Sequence, residues 1–191
     1  MNRPTVCLWL ALMLLGSAVA VPPVRVPQPA PRMGQGGATN VRAIQDARPT
    51  LDLLVTVRLL SDLLTRQEIT PDGQARRELD LLLRPLLTAP ALRPTDAAAL
   101  DTALRAALTP SQALTLARAR TAAQARAQAF MDRARFAALD GPINLTLIRY
   151  GLMVPGGQDT VKLALEPNFN PYAQAGDNAE VLGGLLALLK G

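Results

Sequence analysis

Residues 50–65 read TLDLLVTVRLLSDLLT. Leu51, Leu54, Val55, Leu59, Leu63 and Leu64 recur largely at steps of three and four, the period of an α-helix. Leu53, Val57 and Leu60 widen the apolar arc beyond a single stripe. An arc that broad suits a helix covered on most sides, so Thr50–Thr65 is expected to be a largely buried helix. The fold class that follows is all-α, a helical bundle.

Reading outward from that stretch, the helical pattern begins at about Val41. Downstream, Thr70-Pro71 has the form of a helix start, with Thr as N-cap and Pro in the first turn. Leu79, Leu82, Leu83, Leu86 and Leu87 then form an i, i+3, i+4, i+7, i+8 stripe, and Pro85 inside it predicts a kink near Leu81. Pro90 and Pro94 bracket a turn, after which Leu100, Leu104 and Leu108 are spaced by four. Thr109-Pro110 repeats the cap-plus-proline start. Ser111–Leu139 is the longest helical pattern, with Leu116, Ala119, Ala123, Ala127, Phe130, Ala134 and Ala137 on one face. Small residues there let another helix approach closely. Gly141-Pro142 closes it. Leu82, Leu83, Leu86, Leu104 and Leu116 are expected in the core.

The tail is less regular. Ile143–Met153 carries both helical and alternating patterns; helix is favoured because a strand would find no partner except Val161–Leu165. Pro155-Gly156-Gly157 and Pro167–Gly176 read as loops, the second tucking Phe169 and Tyr172 onto the bundle. Asp177, three residues before Glu180, suggests a capping box. Leu182, Leu185, Leu186 and Leu189 stripe a last helix that Gly183-Gly184 weakens.

Upstream, Met1–Ala20 has the form of a secretory signal peptide: Arg3, the apolar run Val6–Leu15, and the small-x-small site Ala18-Val19-Ala20. Cleavage after Ala20 is expected, with an uncleaved N-terminal membrane anchor as the competing reading. Val21–Asn40 holds Pro22, Pro23, Pro27, Pro29 and Pro31, then Gly34, Gly36 and Gly37, the composition of a flexible tether. The expected organisation is therefore signal peptide 1–20, disordered Pro/Gly-rich linker 21–40 and helical domain 41–191. The expected location is periplasmic or extracellular.

The 191 residues contain no histidine, and Cys7 is the single cysteine. A mature chain starting at Val21 would have neither, which removes Ser-His-Asp and Cys-His triads, disulfides and most zinc sites. Aromatic residues are 3% of the chain, which argues against a base-stacking surface and hence against a nucleic-acid partner. Acid pairs such as Glu78 with Asp80 and Asp96 with Asp101 lack metal or glycosidase spacing and read as surface and capping charges. Gly156-Gly157 lacks the Gly-Lys-Ser/Thr of a phosphate loop. No catalytic, cofactor-binding or metal-ligating set is expected, and no cofactor.

Leu108-Thr109-Pro110-Ser111-Gln112 resembles the LTxxQ motif of the Spy/CpxP-type periplasmic proteins. Thr70 to Gln74, within Ile69-Thr70-Pro71-Asp72-Gly73-Gln74, is similar to a second copy with one residue inserted before the Gln. The resemblance covers about Thr50–Leu139. It implies an exported all-helical protein, often a homodimer, that binds unfolded polypeptide without ATP or senses envelope stress. The irregular first copy, Pro85 and the Asp140–Gly191 tail depart from the family pattern. Physically the motif is a helix start, in which Gln bonds back toward the cap.

The remaining candidate is a basic face. The basic residues are 18 Arg and 2 Lys against 15 acids, a net charge of +5. On an ideal helix Arg118, Arg126 and Arg133 lie within about 80° of each other, opposite the alanine seam. Such a face is either a solvated outer surface or a cationic patch for acidic polypeptide, with weak contact to an anionic surface as a further use. The functional expectation is a non-enzymatic cell-envelope protein that binds polypeptide in a chaperone-like or stress-related role. The alternative is a structural or interaction module with a dedicated envelope partner.

Overall fold

A computed structural model describes residues 36–133, 144–166 and 168–190, with side chains from residue 42. Residues 1–35, which include the expected signal peptide and most of the expected linker, and Ala134, Ala137 and Gly141-Pro142 lie outside the described residues. Those described form seven α-helices and one 3-10 turn, with no strand. The all-α expectation holds.

α1 spans Gly36–Thr65 and is the central helix. It touches α3 (Pro94–Ala106), α4 (Pro110–Arg133), α5 (Leu145–Gly151) and α7 (Asp177–Lys190). Leu51, Leu53, Leu54, Val55, Val57 and Leu60 are all 1% exposed or less. The broad apolar arc is thus matched by neighbours around most of the helix. Each such side chain contributes about 1.5–3 kcal/mol on full burial. α1, not α4, is the longest described helix, and it starts before Val41. Once a helix is nucleated and packed, each added residue gains a hydrogen bond at little extra cost, so the first turns extend into residues 36–40, read from composition as linker. Pro49 sits inside α1 and costs one backbone bond without ending it.

α2 (Gly73–Leu83) packs on α7 and α3. Its N-cap is Asp72, whose carboxylate accepts from the N–H groups of Gln74 at 2.9 Å and Ala75 at 2.8 Å. The expectation that Thr70 caps this helix is corrected: a charged acceptor two residues closer satisfies two free N–H groups and complements the positive helix end. Pro85 produces a change of helix type rather than a kink. α2 stops at Leu83 and continues as a 3-10 turn over Arg84–Leu87, because Pro85 lacks the N–H that an α-turn would use. Leu79, Leu83 and Leu86 are buried, Leu82 is half-buried and Leu87 is exposed. The tighter turn rotates Leu87 off the stripe. Leu104 and Leu116 are buried as expected, and Leu100 is half-buried.

The tail folds back on this scaffold. Residues 145–151 and Gly157–Leu163 (α6) are helices, so the helical alternative holds for α5, and the Val161–Leu165 stretch supplies no strand. Asn144 caps α5 through the N–H groups of Thr146 and Leu147. Asn170 is buried; its amide donates to the carbonyls of Leu86 and Ala89 while its oxygen accepts from Tyr172 N–H. One side chain therefore ties the loop before α7 to carbonyls at the end of the 3-10 turn. Tyr172 is buried and Phe169 is partly so, as expected. The Asp177–Glu180 capping box does not form: Glu180 N–H bonds the Gly176 carbonyl instead. Leu182, Leu185, Leu186 and Leu189 all reach the core.

Candidate functional site

The two motif copies are helix starts and are built differently. In the second, Thr109 Oγ1 accepts from Gln112 N–H at 3.4 Å while Gln112 Oε1 accepts from Thr109 N–H at 3.1 Å. This is a reciprocal capping box at the N-terminus of α4. Leu108 is buried just before it. In the first copy Thr70 is exposed and makes no side-chain bond among the described residues, and Gln74 contributes its backbone N–H to Asp72.

The basic stretch divides by environment. Arg118, Arg126 and Arg133 are exposed along α4 and form no ion pair among the described residues. Arg105 is held by Asp101 at 2.7 Å. Arg120 turns inward. Its guanidinium pairs with Asp52 of α1, and both side chains are largely covered. The same Asp52 oxygen accepts from Tyr150 Oη of α5 at 2.6 Å. Nearby, Thr56 Oγ1 donates to Asp101 Oδ1 at 2.5 Å. A single carboxylate thus joins α1, α4 and α5. Burial and the neighbouring Asp52 carboxylate push the Tyr150 hydroxyl up to about 12. Burial alone raises Tyr172, whose hydroxyl has no hydrogen-bond partner among the described residues. Asp80 and Asp96 pair with Arg84 and Arg93 within their own segments, as surface charges do.

Two clefts flank this tie, and Met153 lines both. The first, of about 220 Å³, lies between α1, α4 and the end of α5. Leu59, Ala123, Ala127 and Met153 form its floor; Phe130 and Leu152 stand at its edge, 55% and 37% exposed. Phe130 was expected on the packed seam of α4. It lies open instead, at the edge of the groove, while Ala127 and Met131 beside it on α4 are buried. Arg126 and Arg58 flank the cleft, with Asp62 beside Arg58 at 3.9 Å. Arg58 also donates to the Met153 carbonyl at 2.7 Å, which fixes the turn after α5 against α1. Of the three basic-face residues, Arg126 alone belongs to this groove; Arg118 and Arg133 lie along α4 outside its lining.

No protein-family model, curated protein or solved structure matches this chain. The residues themselves therefore carry the functional argument. No group of three or more His, Cys, Asp or Glu is gathered as a metal-ligand set among the described residues. No described helix is long and apolar enough to cross a membrane.

The groove offers apolar area and a cation, Arg126, without an acidic partner among the described residues, with the Asp62 carboxylate beside Arg58 at its rim. Sequence reasoning found Arg126, Phe130 and the alanines but assigned the aromatic to the core. It missed Leu152, Met153 and Asp52, which lie on other elements.

Proposed function

We propose that this is a non-enzymatic exported protein of the cell envelope that binds polypeptide in a chaperone-like manner, seating a bulky apolar side chain in the α1–α4 groove. The observation that carries this reading is the exposed pair Phe130 and Leu152 above an alanine floor, beside Arg126. Open apolar side chains beside a buried floor are what a partner's apolar side chain needs. Arg126, with Arg118 and Arg133 along the same helix, favours segments carrying acidic residues. The LTxxQ resemblance points toward the same class of protein.

The test is suppression of aggregation of an unrelated unfolded protein by the chain Val21–Gly191 at stoichiometric amounts, beside Phe130→Ser. The wild type is expected to suppress aggregation and the variant to lose most of that effect while keeping its helical content. Equal activity in both would remove the groove from the mechanism; no activity in either would remove client binding.

A second reading has its own support. About 220 Å³ is below the range of roughly 300–1,000 Å³ usual for ligand pockets and is the size of one large side chain. That scale suits one dedicated envelope partner with a single anchoring residue. Affinity capture from an envelope fraction that returns one protein, lost with Phe130→Ser, together with no suppression of general aggregation, would favour it.

A further inference from the structure

The second cleft differs in chemistry from the groove. It encloses about 390 Å³ between α1, α4 and α5. Its floor is apolar, from Ile44 and Met153, both 5% exposed. Its walls carry Arg48, Arg149, Gln124 and Tyr150. Asp52 carries one negative charge, and Arg120 and Tyr150 both bond to its Oδ1. Arg48 lies 3.8 Å from Oδ2, beyond hydrogen-bond length, and is 71% exposed. Arg149 donates to the neutral Gln128 amide at 3.0 Å and forms no ion pair among the described residues. Arg120 and Arg48 thus share the Asp52 carboxylate, while Arg149 reaches a carboxylate, that of Asp132, only through the Gln128 amide; Arg48 and Arg149 both line the cleft.

We propose that this cleft is a binding site for an organic carboxylate, with Arg48 and Arg149 receiving the carboxylate and Ile44 and Met153 covering its carbon chain. Guanidinium groups present N–H pairs that match a planar carboxylate. An apolar floor under a cationic wall selects an amphipathic anion over inorganic phosphate, which has no carbon chain to bury. The carboxylate can belong to a free organic acid or to a glutamate side chain of a polypeptide. The site stands apart from the groove and does not depend on the chaperone reading.

The experiment follows the Nε–H signals of Arg48 and Arg149 by NMR in the full mature chain. The probes are butyrate, N-acetyl-glutamate amide, its neutral isostere N-acetyl-glutamine amide, and inorganic phosphate. Saturable shifts with both carboxylates and none with the glutamine compound are expected. Arg48→Gln and Arg149→Gln should each weaken carboxylate binding about tenfold, the scale of one charge-assisted hydrogen bond. Both side chains reach solvent, so the urea midpoint should stay unchanged and separate lost binding from lost folding. Tighter binding of the glutamate compound than of butyrate identifies a polypeptide side chain as the source; the reverse order identifies a free acid. Shifts that rise linearly without saturation, that keep wild-type affinity at the remaining arginine of either single variant, or that saturate first with phosphate would overturn the proposal.

Discussion

α1 and α4 are the two long helices of the molecule, and they bury themselves to different extents. α1 is covered on nearly every face from Thr50 to Leu60, whereas α4 buries Leu116, Ala127 and Met131 among its described side chains. Both are rich in aliphatic residues, so apolar content does not separate them. Breadth and size of the apolar arc do. On α1, large side chains occupy most of the circumference and need neighbours all round. On α4, the apolar arc is mostly alanine; it meets α1 and α5 and leaves Leu114 and Phe130 half-exposed at the margins. The first design makes a core helix; the second makes a lip on which a groove can form.

The sharpest way to break this contrast is to shorten one leucine on each helix. Leu54→Ala on α1, 1% exposed in the native chain, should destabilise by about 2–5 kcal/mol through lost burial and the cavity left behind. Leu114→Ala on α4, 50% exposed, should change stability by less than about 0.5 kcal/mol. Urea midpoints measure both, and equal losses would refute the division into core helix and lip.

A smaller effect is expected where the two helices are joined by charge. Asp52→Asn leaves Arg120 without its carboxylate partner and weakens the bond from Tyr150. Full burial would make this change cost more, but both side chains of the pair keep about a fifth of their surface, so a loss of about 1–3 kcal/mol is expected. A denaturation midpoint within error of wild type would show that the tie between α1, α4 and α5 is idle.

The helix starts sharpen the comparison further. Thr109→Ala should cost about 1 kcal/mol, because it removes half of a reciprocal capping box. Asp72→Ala should cost a similar ~1 kcal/mol, and Thr70→Ala less than ~0.5 kcal/mol. If Thr70→Ala were as damaging as Asp72→Ala, the assignment of the α2 cap would be wrong.

The last effect sits outside neutral pH. Tyr150 is raised from its ordinary value of 10.0 to about 12, so the folded state favours the neutral phenol. The unfolded chain loses this proton first. The stabilisation is complete below about pH 10 and is lost as pH rises through about 12. Chemical denaturation across that window should show stability falling in the wild type and falling less steeply in Tyr150→Phe. Identical slopes would remove Tyr150 as the titrating group.

Much of the helical layout was legible from residues close together in sequence. The α1 arc, the Thr109–Gln112 box and the α7 stripe repeat within one or two turns, where helix period and capping chemistry act directly. Errors arose where a local signal left the outcome open. At the start of α2, Thr70-Pro71 was read as the cap, and the Asp72 carboxylate caps the helix instead. At Pro85 the missing N–H was legible, but its outcome was a 3-10 turn over Arg84–Leu87 rather than the expected kink. Phe130 was assigned to the seam by its angle alone, and angle carries no information about how near the neighbouring helix comes.

What the sequence by itself determined is the all-α class, the existence and approximate ends of most helices, and the exclusion of histidine and disulfide chemistry; these follow from period, capping and composition. What only the tertiary structure decided is which charges meet. Asp52 bonds Arg120 across 68 residues and Tyr150 across 98, and Asn170 reaches Leu86 across 84. No periodicity links positions that far apart, because their proximity depends on how whole helices pack. The same holds for the groove and the carboxylate cleft, whose walls come from three helices and exist only once those helices are in place.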